Sequence, residues 1–97
     1  MKIRVLEIAD KELSETFRYY ENEQAELGHR FIAEFAQSIR RIVAFPKSYQ
    51  LIGERARRCL VSEFPYGVLY HYNEPDAEIL VVAVGHLHRG PDYWLSR

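Results

Sequence analysis

An α+β domain, with an antiparallel β-sheet packed against a helical hairpin in the order β-α-α-β-β-β, is the architecture the sequence predicts. Three observations point to it. Apolar residues recur at helical spacing through two consecutive stretches between Asp10 and Phe45, strand-like alternation takes over at Arg57, and a continuous apolar run from Ile79 to Val84 follows a compact turn. With 97 residues, 47% of them hydrophobic and 28% charged, the chain suits one domain over residues 1–97 with a single core.

Ile3, Val5, Leu6 and Ile8 carry little turn chemistry around them, which predicts a first strand over Lys2 to Ile8. Asp10 has the side chain of a helix N-cap, and from there Leu13, Phe17, Tyr20 and Leu27 form one helical stripe, with Glu12, Glu15, Glu21, Glu23 and Glu26 placed largely elsewhere. Gly28 stands where a left-handed C-cap is expected. Phe31, Phe35, Ile39 and Ile42 then rebuild the stripe, and Pro46 stops the second helix near Phe45 because it lacks an amide hydrogen. Residues 46–55 read as a loop.

Arg57 to Phe64 and Tyr66 to Tyr72 read as adjoining antiparallel strands separated by Pro65. Asn73-Glu74-Pro75-Asp76 is a turn signal, Ile79 to Val84 is the best candidate for a buried central strand, and Gly85 is expected to end it. Residues 86–97 hold two histidines, two arginines, Tyr93 and the single tryptophan, Trp94, a density that predicts docking on the domain.

Net charge is −1, yet residues 27–58 hold seven bases against the two acids Glu34 and Glu54. Such a basic segment suits nucleic acid or an acidic peptide, and equally a solvated helix face. One cysteine, Cys59, excludes an intrachain disulfide framework and fits a reducing, cytoplasmic setting. The apolar run at 79–84 is far too short to span a bilayer, so no membrane association is expected.

Several stretches, taken in order, resemble the RelE/ParE superfamily, and most closely its ParE-like plasmid-stabilisation branch. They are Leu27-Gly28-His29-Arg30-Phe31 at the helical corner, Phe45-Pro46 at the helix end, and Arg58 through Tyr70 across the strand pair. Val82-Ala83-Val84-Gly85-His86-Leu87-His88-Arg89, followed by Pro91, Tyr93 and Trp94, completes the series. The resemblance implies the toxin of a type II toxin–antitoxin system, held inactive by a cognate antitoxin that wraps it as a helix or an added strand. In the ParE-like branch it implies DNA gyrase as the target without hydrolytic chemistry. In the other branch it implies cleavage of mRNA on the ribosome.

Metal-independent RNA cleavage needs a base for the 2′-hydroxyl, cations for the phosphorane and an acid for the leaving oxygen. Arg58, His86, His88, Arg89 and Tyr93 are the candidates for that chemistry, with His71 a further one, converging if the tail folds back across the sheet. Against it, RNA-cleaving relatives commonly start the third strand with an arginine, where this chain has Gly67. The sequence therefore favours a binding toxin over an endoribonuclease.

Arg57, Arg58, Tyr66, Tyr70, Tyr93 and Trp94 are the candidates for the antitoxin or target interface. Tyr66, Tyr70 and Tyr72 share a strand face with Val68 and read as core or groove rather than a base-stacking platform. Trp94 reads equally as a staple for its own segment or as an interface anchor. His86 and His88, two apart, point the same way in extended chain, but Cys59 and His71 complete a ligand set only if strands gather them, so neither metal nor cofactor is expected.

Overall fold

The computed structural model of the chain describes residues 1–90 and 92–97, so Pro91, named in the resemblance, lies outside the described residues. In chain order the elements are β1 (Lys2–Val5), α1 (Glu7–Glu23), α2 (Leu27–Ala44), β2 (Gln50–Ile52), β3 (Ala56–Leu60), β4 (Tyr66–Asn73) and β5 (Glu78–His86). They form one five-stranded sheet in the order β1-β5-β4-β3-β2, with the helical hairpin on one face.

The sheet is mixed rather than wholly antiparallel. β2 through β5 are joined by short connections and pair antiparallel, whereas β1 runs parallel to β5, from Lys2 opposite Glu78 to Val5 opposite Val81. Both helices and three strands separate β1 from β5 in the chain, so no hairpin forces their pairing to be antiparallel. β2, inside the stretch expected as a loop, is three residues long and too short to show a period. Gly53, at φ 75°, turns it back onto β3.

β4 and β5 pair Leu69 with Ala83 and then Tyr70 with Val81, which leaves Val82 as the extra residue of a bulge. The bulge resets which side each residue faces. Ile79, Val81 and Val84 join Ala9, Phe31 and Ile42 of the helices in the main core, while Val82 and Ala83 join Leu69 in a second cluster on the opposite face. This two-sided burial is why the run at 79–84 is apolar without alternation.

Helix boundaries depart from the expected caps for local reasons. β1 ends at Val5, the Leu6 amide bonds the Val81 carbonyl, and α1 starts at Glu7, so Asp10 lies in the first turn beside Glu7, where acids suit the helix dipole. At the corner, Glu26 holds a left-handed φ of 73°, and the Glu21 carboxylate accepts the Glu26 and Gly28 amides at 3.0 and 2.9 Å. Those two bonds, the Glu26 one foremost, hold the Glu21 carboxyl below its ordinary range. Gly28 is therefore no C-cap but a buried residue in the first turn of α2. A Cβ there would stand 2.6 Å from the Phe17 carbonyl oxygen.

Aromatic rings fill the space between hairpin and sheet. Phe31 lies 5.1 Å from Phe64 and 5.3 Å from Tyr66, both edge-on, and Tyr20 lies 4.9 Å from Phe64. Tyr70 is fully buried and donates its hydroxyl to the Pro46 carbonyl at 2.7 Å, tying the end of α2 to the middle strand.

Gly28→Ala should lower stability by about 1–3 kcal/mol, the usual cost of overpacking, because backbone must move to admit the methyl. Urea denaturation measures it, and an unchanged midpoint would show that the corner opens freely. Burial pushes the Tyr70 hydroxyl up to about 12, with Arg57 opposing the shift, from the 10.0 expected when unfolded. Its contribution to stability is thus complete below the unfolded value and lost as pH rises from about 10 towards 12. Tyr70→Phe should flatten that alkaline loss and cost about 1 kcal/mol near neutrality through the missing hydrogen bond.

Candidate functional site

β5 ends at His86, opposite Tyr66, and the described residues of 87–97 then fold across the sheet face that the helices leave bare. Tyr93 and Trp94 pack on the cluster of Leu69, Val82 and Ala83. Gly85, expected to end the strand, instead lies inside it and makes room for this packing. A Cβ on Gly85 would fall 1.8 Å from the Tyr93 hydroxyl oxygen, so the tyrosine takes the place of a side chain.

A single carboxylate holds the arrangement. Glu12 of α1 accepts the Val84 amide at 3.0 Å and the Arg97 guanidinium at 2.9 Å through Oε1, and it accepts the Arg89 guanidinium through Oε2. Arg97 also donates to the Val82 carbonyl at 3.1 Å. β1 has ended opposite Val81, so Glu12 and Arg97 together satisfy the edge of β5 that β1 no longer covers. The guanidinium carbons of Arg89 and Arg97 stand 3.9 and 5.4 Å from the Tyr93 ring centroid. Burial, and then the Glu12 charge, raise the Tyr93 pKa against the pull of Arg89, Arg97 and Arg58, so its hydroxyl stays protonated at neutral pH.

Beside this network lies a cleft of about 210 Å³ lined by Arg58, Gly85, His86, Arg89, Tyr93 and Trp94, among others. Four of the five residues expected to serve chemistry thus meet. His88 does not line the cleft; its amide donates to His86 Nδ1 at 3.0 Å and the two rings lie 5.3 Å apart. Arg58 is half-buried, and its aliphatic stem crosses Gly67, 2.9 Å from where a Cβ would stand. The glycine thereby opens the space through which Arg58 reaches the cleft. No carboxylate among the described residues is paired with Arg58, whereas Arg89 is bound to Glu12.

The remaining interface candidates sit elsewhere. Arg57 alternates with Arg58 and donates to the Tyr49 carbonyl at 2.8 Å. Tyr66 is part of the aromatic core and meets the His86 ring edge-on at 5.2 Å. Tyr70 is 0% exposed and has no surface to offer a partner. Trp94 staples its segment to the second cluster, although its buried Nε1 has no hydrogen-bond partner among the described residues. His71 lies away from the cleft, beside Arg55 at 3.1 Å, and burial followed by the Arg55 charge lowers its pKa. Cys59 is buried where β3 meets α2, with Sγ 3.9 Å from the Ser38 carbonyl, so the strands do not gather it with His71 and the histidine pair.

Glu12 was hidden in the sequence among the acids of α1. Its signal is positional: it sits between Ala9, Leu13 and Thr16, on the stripe that faces the sheet, where a solvated acid does not belong. In native protein Cys59, 1% exposed, should react with a thiol reagent only as fast as the chain unfolds. Rapid modification in the absence of denaturant would contradict the packing of α2 on β3.

Comparison with known proteins agrees with the architecture. A solved structure described as the chromosomal ParDE TA system from P. aeruginosa superposes with a TM-score of 0.75, at 12% sequence identity, covering 89% of this chain and 95% of that one. No curated protein matches the chain. No helix among the described residues is long and apolar enough to cross a membrane. The family described as the ParE toxin of type II toxin-antitoxin system, parDE, matches residues 3–91, and the chain belongs to it.

Proposed function

We propose that this toxin works in the cytoplasm, is neutralised by a cognate antitoxin, and arrests growth by binding DNA gyrase rather than by cutting mRNA on the ribosome. One observation carries the choice of binding over cleavage. Of the cations around His86 and Tyr93, Arg89 is consumed by Glu12, and the strand position that would add another is Gly67. Arg58 is left to face the cleft, and one guanidinium is a poor match for a phosphorane that gains charge on several oxygens. A lone half-buried arginine beside Tyr93 and Trp94 is instead the composition of a protein-binding hot spot.

Room for an antitoxin is present at both ends of the sheet. β1 and β2 are edge strands, with Ile3, Val5 and Leu51 exposed at 40, 42 and 47%. Such edges accept an added strand, and exposed apolar residues beside them accept the face of an amphipathic helix.

Inducible expression with and without the neighbouring gene product tests the proposal. The expected outcome is growth arrest with a DNA-damage response, relieved by the neighbour, and retained in a His88→Ala variant. Arrest with normal supercoiling, shortened mRNA and loss of both effects in His88→Ala would establish the nuclease instead.

A further inference from the structure

Segment 87–97 contains no helix or strand among its described residues, yet it covers the sheet's second apolar face. What keeps it there is concentrated at one point. Arg89 and Arg97 bracket Tyr93 and converge on the same Glu12 carboxylate, whose side chain is 10% exposed, as is that of Arg97. The apolar part of the seat is small and imperfect: three buried residues, Leu69, Val82 and Ala83, lie beneath, and the buried Trp94 Nε1 meets no hydrogen-bond partner among the described residues. The main core makes no use of this face, since Ile79, Val81 and Val84 turn to the helices.

We propose that Glu12 is a positioning residue that locks the described residues of 87–97 as a strap over the sheet, and that the strap leaves as one unit when the lock is opened while the helix–sheet core stays folded. The two arginines are held by a charge on α1, seventy-seven and eighty-five residues away in the chain, and on their own segment they meet the Tyr93 ring, which moves with them. Removing that charge strips both ion pairs at once and leaves the strap with the weak apolar seat, the Arg97 bond to the Val82 carbonyl and the Leu87 amide bond to the Pro65 carbonyl at its start. Release uncovers Leu69, Val82 and Ala83 and dissolves the cleft around Arg58, because Arg89, Tyr93 and Trp94 leave together. Neither the lock nor its release depends on which target the toxin binds.

The single tryptophan, Trp94, reports the strap directly. In Glu12→Gln the amide keeps an acceptor for the Val84 N–H and loses both ion pairs. The expected result is a red-shifted Trp94 emission and a several-fold rise in acrylamide quenching, with slow amide exchange of β4 and β5 retained. Arg97→Gln, which leaves Glu12 and Arg89 in place, should give a smaller change of the same kind. Gly85→Ala, which crowds Tyr93 without altering any charge, should also expose Trp94. Trp94 emission and quenching unchanged in folded Glu12→Gln or Arg97→Gln would overturn the lock. Core amides losing protection in step with Trp94 exposure would overturn release as a unit. Should Glu12→Gln not fold, Arg97→Gln and Gly85→Ala decide the matter by the same two readouts.

Discussion

Because β5 carries apolar side chains at consecutive positions from Ile79 to Val84, both of its faces must be kept from water, and the molecule is built around doing so. The helical hairpin supplies one cover, and the described residues of 87–97, Tyr93 and Trp94 foremost, supply the other. The bulge at Val82 is what allows unequal covers, since it directs Ile79, Val81 and Val84 to the large one and Val82 with Ala83 to the small one. A strand with strict alternation would have needed a polar face, and the second cluster would not exist.

The two covers are joined by polar chemistry in an apolar setting. Taking a carboxylate out of water costs several kcal/mol, and Glu12 tolerates it only because an amide and two guanidiniums meet its oxygens. The same contacts satisfy the stretch of β5 left bare where β1 stops. A charge that looks misplaced on an apolar stripe is thus the junction of α1, β5 and the chain beyond them. It also fixes the chemistry of the cleft, because an arginine neutralised by a neighbour is no longer available to an incoming anion.

The sequence shows most of the fold and little of how its parts meet. Both helices, the strands from Arg57 onward and the run at 79–84 are repeating patterns, and local period is what a lone sequence displays. Gly28 and Gly85 read as stops because glycine commonly ends elements. Here each is demanded by a group distant in the chain, the Phe17 carbonyl in one case and the Tyr93 ring in the other. Tyr66 and Tyr70 were recognisable as sharing a face, though nothing local revealed that the Tyr70 hydroxyl would find Pro46. The convergence of Arg58, His86, Arg89 and Tyr93 could be suspected from residue type, whereas the neutralisation of Arg89 by Glu12 spans seventy-seven positions and has no local trace.

The parallel pairing of β1 with β5 bears on how such a chain is made. Lys2 finds its partner only when Glu78 exists, so the sheet joins the start of the described chain to a strand synthesised near its finish. Contacts of such long sequence separation form late, after the hairpin helices have had time to wind and meet. Until β5 joins, Phe31 and Ile42 meet only the part of the core that β3, β4 and the turn between them supply, and β1 has no neighbour. The closing of the β1–β5 pair is therefore the step that turns a set of local elements into one sheet, and any slowing of it prolongs the time that the apolar run at 79–84 stays uncovered.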